Sequence, residues 1–211
     1  MKELYVILSR TETGFGRAIR RFTKCYYNHS AISFEPELRY LYSFSRRAYD
    51  LPLSASLVRE TAEMYTLSQK YNPDIAVFCI PLPERTFRLL RRSVYLKYRD
   101  GDYLYNIPSA CSWPILKGCA TPKAHTCSEF TASVLRQAGI YLSRPDYTYH
   151  PEDFYNLLSE YLIYQGGMLD YPGLDYLHCD PAFFQRHTPL QALQYSLPVL
   201  SKLAQRCLFR G

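Results

Sequence analysis

The sequence predicts a mixed α+β fold, on the evidence of two kinds of apolar pattern. Short apolar runs, such as residues 4–8 and 75–81, have the length and composition of buried strands. Longer stretches, such as residues 126–137, repeat apolar side chains at helical spacing. With 211 residues and a hydrophobic content of 47%, the chain is long enough for one domain of roughly 150 to 200 residues and an appendage.

The first half of the chain favours strands that follow one another closely. Gly14 and Gly16 separate the strand at 4–8 from an amphipathic helix predicted over residues 17–27. Side chains alternate between two faces in the next strand, residues 29–34, and a turn at Pro36 and Glu37 lets residues 41–44 pair back with it. Residues 46–72 predict a loop and then a helix near residues 58–69.

The second half begins with the buried strand 75–81, and Pro83 suits the first turn of the helix that continues over residues 86–98. The further elements expected are a strand at 103–107, a long proline-containing loop at 108–125, a helix at 126–137 that ends at Ala138 and Gly139, a helix at 150–161 and a strand at 162–164. The character of the sequence then changes. We therefore expect a domain over residues 1–166 and a C-terminal appendage over residues 167–211, rich in proline and tyrosine and then helical up to residue 208, with an interruption at Pro198.

Charge and targeting signals narrow the class of protein. The formal net charge is +6, but the basic residues are spread along the chain. Two small groups fall at helical spacing, which is typical of solvated helix faces, so we expect no nucleic-acid partner. These groups are Arg17, Arg20, Arg21 and Lys24, and Arg85, Arg88, Arg91 and Arg92. The amino-terminal residues lack the pattern of a secretory signal, and we find no apolar run of membrane-spanning length. Seven cysteines without a regular spacing predict free thiols, so we expect a cytoplasmic protein without a transmembrane segment.

Cys127 stands at a predicted helix start. Thr126 is a favourable N-cap, and Glu129 three residues later completes a capping box. A thiolate at this position faces unpaired backbone N–H groups and the positive end of the helix dipole, which together lower its pKa. The same pattern also fits an ordinary half-buried cysteine, so a second observation is needed.

That observation is His29, which lies on a strand, on the face opposite Ile32 and Phe34. A nucleophilic cysteine needs such a base, although a lone histidine on a strand is often structural. The motifs at residues 28–34 (NHSAISF), 41–46 (LYSFSR) and 126–130 (TCSEF) resemble the circularly permuted branch of the NlpC-like, papain-fold cysteine hydrolases. This is the YiiX-like group, which is related to the lecithin:retinol acyltransferase-like proteins.

The resemblance covers about residues 4–166 and implies a circularly permuted papain-like fold, in which an antiparallel sheet packs against the helix that carries the nucleophile. It implies that Cys127 is the nucleophile, that His29 is its base, and that the strand after the histidine strand carries the group that orients the imidazole. On that strand we assign Ser43, with Ser45, Tyr42 and Glu35 as rivals. The implied activity is cleavage of an amide bond, in a peptide or an acyl-amide, without a metal or another cofactor.

Three alternatives remain open at the level of the sequence. Cys111, Cys119, His125 and Cys127 offer four zinc ligands, although their spacing is not typical of a structural site. A catalytically inactive binding module would use the basic surface instead. An acyltransferase or thioesterase on lipid-like substrates would use the same Cys127 and His29. Neither the oligomeric state nor the substrate follows from the sequence.

Overall fold

The computed structural model of the protein describes residues 1–11 and 25–208. These residues form a mixed α+β structure with one eight-stranded sheet. Its strands are β1 (Lys2–Ser9), β2 (His29–Ser33), β3 (Leu41–Arg46), β4 (Ala55–Glu60), β5 (Asp74–Leu82), β6 (Leu104–Tyr105), β7 (Ala124–His125) and β8 (Leu162–Gly167). The described helices are α1 (Ala62–Thr66), α2 (Glu84–Asp100), α3 (Ile107–Leu116), α4 (Cys127–Gln137), α5 (Pro151–Leu157) and α6 (Pro189–Leu208).

The sheet has the strand order β7-β6-β4-β3-β2-β1-β5-β8, and its neighbouring strands are antiparallel except for β6 and β7. The central strand β1 pairs with β2 on one side, where Val6 is opposite Ile32, and with β5 on the other, where Val6 is opposite Phe78. β5 is apolar along most of its length, which explains why a short apolar run identifies it in the sequence, whereas β2 also carries His29, Ser30 and Ser33. The expected antiparallel character of the sheet is therefore confirmed.

Two segments differ from the sequence-based expectation. The helix predicted near residues 58–69 is short, because residues 55–60 form strand β4, whose Arg59 and Glu60 pair with Tyr42 and Leu41 of β3. The long loop predicted over 108–125 contains α3 and β7 instead. Here the prolines misled the prediction, since Pro108 lies in the first turn of α3, where proline is tolerated. Most of the helix predicted over 17–27, with its basic group at residues 17–24, lies outside the described residues.

Helix α4 packs against β2 and β3, as expected for the helix that begins at Cys127. The Phe130 ring meets Phe44 of β3 at 5.5 Å between ring centroids, and the Thr131 hydroxyl lies 3.0 Å from that of Ser30 on β2. Phe130 and Thr131 are both at most 1% exposed. This packing fixes the first turn of α4 beside the start of β2.

The segment after β8 packs on the rest of the chain. Met168 and Tyr171 join the apolar cluster on the other face of the sheet, together with Ile7 and Ala31. Helix α6 runs through Pro198, without the interruption expected there, and buries Val199 and Leu203 against Leu104 and Ala124. The division of the chain at residue 166 stays a prediction. Of the described helices, none combines the length and the apolar character that crossing a membrane requires.

Candidate active site

Cys127 is the first residue of α4, and the predicted capping box is present. The Glu129 N–H donates to the Thr126 hydroxyl over 3.1 Å, and the Thr126 N–H donates to the Glu129 carboxylate over 3.2 Å. Thr126 itself has an extended backbone, as an N-cap residue must. The capping box therefore holds the Cys127 thiol at the amino-terminal end of α4, where the helix dipole favours negative charge.

His29 begins β2, and its imidazole lies close enough to the Cys127 thiol for each group to shift the pKa of the other. The other side of the ring faces a carboxylate, since His29 Nε2 lies 3.0 Å from Glu60 Oε2. Because Nε2 is taken by Glu60, Nδ1 is the nitrogen left for the sulfur. The three side chains thus form a connected row of thiol, imidazole and carboxylate, the arrangement that orients a base toward a nucleophile.

Glu60 is fixed by a second set of contacts. The Tyr65 hydroxyl donates to Glu60 Oε2 over 2.7 Å, and Ser45 lies close enough to Glu60 to help lower its pKa. Glu60 is 5% exposed and Tyr65 is 6% exposed, so these bonds are screened from water. The Tyr65 ring also lies 5.8 Å from that of His29 and covers the pair.

The electrostatics of the row favour a thiolate–imidazolium pair. Burial by itself would lower the pKa of His29, but attraction to Glu60 and the hydrogen bonds to Cys127 and Glu60 raise it to about 10. Burial would raise the pKa of Cys127, yet the hydrogen bond and charge of His29, with two hydrogen bonds from Ser30, lower it. Burial opposes ionisation of Glu60 too, and His29, Tyr65 and Ser45 together lower its pKa. Each group therefore holds its neighbour in the charged form.

The site is narrow. The Cys127 residue is 6% exposed, whereas the His29 side chain is 13% exposed. Tyr105 is 9% exposed and lies close enough to Cys127 that the thiolate contributes to raising the pKa of the phenol, second to burial.

Ser43 does not contact His29. Its hydroxyl is fully buried and donates to the Ser30 carbonyl over 2.9 Å, a contact between two adjacent strands. Glu60, and not Ser43, occupies the orienting position at His29. Sequence reasoning missed Glu60, because the helix expected near residues 58–69 took the place of the strand that carries it.

The residues of the zinc alternative are not assembled into a site. Within residues 1–11 and 25–208, no three histidine, cysteine, aspartate or glutamate side chains are grouped to hold a metal ion. His125 stacks on Tyr103, with ring centroids 6.1 Å apart, and its Nδ1 lies 3.4 Å from the Glu129 carboxylate. All seven cysteines are free thiols. Among the four residues of the zinc alternative, Cys127 has surroundings that suit a nucleophile instead of a metal ligand.

Comparison with known proteins identifies no relative of this chain. No protein-family model matches the chain, and neither the curated proteins nor the solved structures contain a match. Any function for this chain has to be argued from its own residues and their geometry.

Proposed function

We propose that the protein is a cysteine hydrolase that cleaves an amide bond, in a peptide or an acyl-amide, with Cys127 as nucleophile, His29 as base and Glu60 as the residue that orients His29. One observation carries the proposal, namely that His29 lies between the Cys127 thiol, whose pKa it lowers, and a buried carboxylate 3.0 Å from its Nε2. A structural histidine has no need of both. The pKa directions of Cys127 and His29 fit the thiolate that such an enzyme requires.

The chemistry follows from the three roles. The Cys127 thiolate attacks the carbonyl carbon, a C–S bond forms, and the negative charge moves to the carbonyl oxygen. The Cys127 backbone N–H, at the start of α4, is a donor for that oxyanion. The His29 imidazolium then protonates the departing nitrogen as the C–N bond breaks, which leaves a thioester. Neutral His29 next takes a proton from water, the hydroxide attacks the thioester, and the thiolate leaves with the acid as product.

We also propose that the fold is the circularly permuted papain-like one. Support comes from the chain order, in which the histidine strand β2 precedes the cysteine helix α4, and from the packing of α4 on β2 and β3 of a mostly antiparallel sheet. In this arrangement the base and the nucleophile come from the start of a strand and the start of a helix. Both residues therefore lie in regular backbone that is held by hydrogen bonds, and neither lies in a loop.

A panel of chromogenic acyl-anilides and peptidyl anilides, with matched esters, tests the proposed activity. We expect Cys127→Ser and His29→Ala each to lower turnover at least about 100-fold, the size typical of a lost nucleophile or general base. Cys111→Ser is the matched control, because Cys111 is an exposed free thiol and its loss leaves turnover unchanged. Intact-mass analysis of the wild type should show a transient acyl adduct on Cys127. Turnover that survives in Cys127→Ser would contradict the proposal.

A further inference from the structure

A groove of about 560 Å³ lies between helix α2 and the strands β3 and β4. Its wall is made of aromatic rings and arginines, and it shares no residue with the Cys127–His29–Glu60 row. Arg59 lines the groove and Glu60 follows it directly on β4, so the two side chains point to opposite faces of the sheet. Phe34, another lining residue, is five residues beyond His29, which corresponds to about 16 Å along a strand. The groove is therefore a second site, independent of the proposed function.

The charge of the groove is strongly unbalanced. Arg59, Arg88, Arg91 and Arg92 line it, against the single carboxylate of Glu35. Arg88 has a weak exposed partner in Glu84 at 3.8 Å. Within the described part of the chain, the structure pairs none of the other three arginines with a carboxylate. Four guanidinium groups around one concave surface repel one another unless an anion lies between them.

The aromatic rings give the same surface a flat apolar character. The guanidinium of Arg59 stacks 4.0 Å above the Tyr40 ring, and Phe34 meets Phe87 with ring centroids 5.5 Å apart. A stacked guanidinium keeps its N–H groups free at the edge, where they bind phosphate in a bidentate manner. Tyr42 contributes a hydroxyl close enough to Arg59 and Arg91 for both to lower its pKa, although burial is the largest influence and the net direction is upward.

Glu35 supplies the one carboxylate among the residues that line this basic surface. Its Oε2 atom has no contact with solvent and no hydrogen-bond partner among the described residues. A carboxylate oxygen without a donor is costly, and a ligand hydroxyl or amino group would satisfy it once the Glu35 side chain turns this oxygen toward the groove. The groove thus offers arginines for an anion, rings for a planar group and an acceptor for a polar hydrogen.

We propose that the α2 groove binds a nucleotide, meaning a ligand that joins a phosphate to a planar base through a hydroxyl-bearing sugar. A phosphate monoester is favoured over a single carboxylate because a dianion neutralises more of the arginine excess. The base stacks on the aromatic wall, and a hydroxyl or amino group of the ligand donates to Glu35. The groove is open to solvent, and its volume of about 560 Å³ fits one nucleotide unit rather than an extended nucleic acid.

Calorimetric titration of the full chain with AMP, adenosine and inorganic phosphate separates the contributions of phosphate and ring. AMP should bind at least about tenfold more tightly than either fragment, since both parts of the groove are then used. Arg91→Gln should weaken AMP binding about tenfold, the loss expected for one charge-assisted hydrogen bond. Arg85→Gln is the control, because Arg85 is exposed on the same helix α2, lies outside the groove and makes the same change in net charge.

Thermal unfolding must show that both variants remain folded, and alkylation of Cys127 should be unchanged in both. Three results would each overturn the proposal. The first is the absence of AMP binding at millimolar ligand, and the second is an equal effect of Arg91→Gln and Arg85→Gln. The third is binding of inorganic phosphate as tight as that of AMP, which would remove the role assigned to the aromatic wall.

Discussion

The substitution Glu60→Gln isolates the charge that we assign to the orienting residue. Glutamine keeps the size of the side chain and its hydrogen-bonding capacity, but it removes the negative charge 3.0 Å from His29 Nε2. Because Glu60 is a main cause of the raised pKa of His29, the imidazolium becomes less stable. The Cys127 thiolate then loses part of the positive charge on His29 that lowers its own pKa.

The expected size of the effect follows from the geometry. At 3.0 Å and an effective dielectric constant of about 20, the Coulomb energy of the Glu60–His29 pair is roughly 5 kcal/mol, which is an upper limit because charged groups lose hydration on burial. The net value of a hydrogen bond to a charged partner is about 1.5–3 kcal/mol. We take about 2 kcal/mol for the Glu60–His29 interaction, and this is the most that the substitution can remove from the stability of the thiolate–imidazolium pair. At a pH where the wild-type thiol is ionised, alkylation should slow by up to about 30-fold.

Alkylation of Cys127 by iodoacetamide, followed by peptide mass spectrometry across pH, measures this shift. Glu63→Gln serves as the control, because it removes a nearby carboxylate that pairs with His178 and with the Cys179 N–H instead. The control should leave the titration of Cys127 unchanged. If Glu60→Gln and Glu63→Gln give the same labelling curve as the wild type, the assigned role of Glu60 is refuted.

Three further predictions concern the surroundings of the row. Tyr65→Phe removes the 2.7 Å hydrogen bond to Glu60. We expect it to raise the pKa of Glu60 and to lower the free energy of unfolding by about 1.5–3 kcal/mol. Chemical denaturation above and below pH 5 measures both the loss of stability and its dependence on pH. Ser43→Ala should cost about 1 kcal/mol in the same assay, through the lost bond to Ser30, while the alkylation curve of Cys127 stays unchanged. Since the pKa of His29 is raised from 6.5 to about 10, its contribution to stability is fully present below pH 6.5 and disappears as the pH rises through 10. Denaturation of the wild type and of His29→Gln over that range should therefore converge at the alkaline end, and a constant difference would contradict this account.

Local signals allowed much of the structure near the site to be predicted. The capping box of Thr126 and Glu129 identified the start of α4 because it depends on residues only three positions apart. Strand β2 was recognisable because Ile32 and Phe34 repeat at the two-residue period of a strand. These patterns involve residues that are close together in the sequence, and they placed Cys127 and His29 on the elements where the structure has them.

Glu60 shows why the rest of the site could not be predicted from the sequence. Its role depends on a contact with His29, 31 positions away, which exists only because β4 pairs with β3. Nothing in the sequence around residue 60 indicates that pairing, and an expected helix near 58–69 obscured the strand. Ser43 was assigned because its strand is next to β2, but its side chain is used in a strand-to-strand hydrogen bond with Ser30. Long-range pairing decided both cases.

The ionisation of Cys127 tests the central claim most directly. The absorbance of the thiolate near 240 nm, followed across pH as the difference between the wild type and Cys127→Ser, reports that one thiol. The account predicts a pKa well below the ~8.5 of a free cysteine, and a rise toward or above that value in His29→Gln. A wild-type value at or above 8.5, or the same value in His29→Gln, would contradict it.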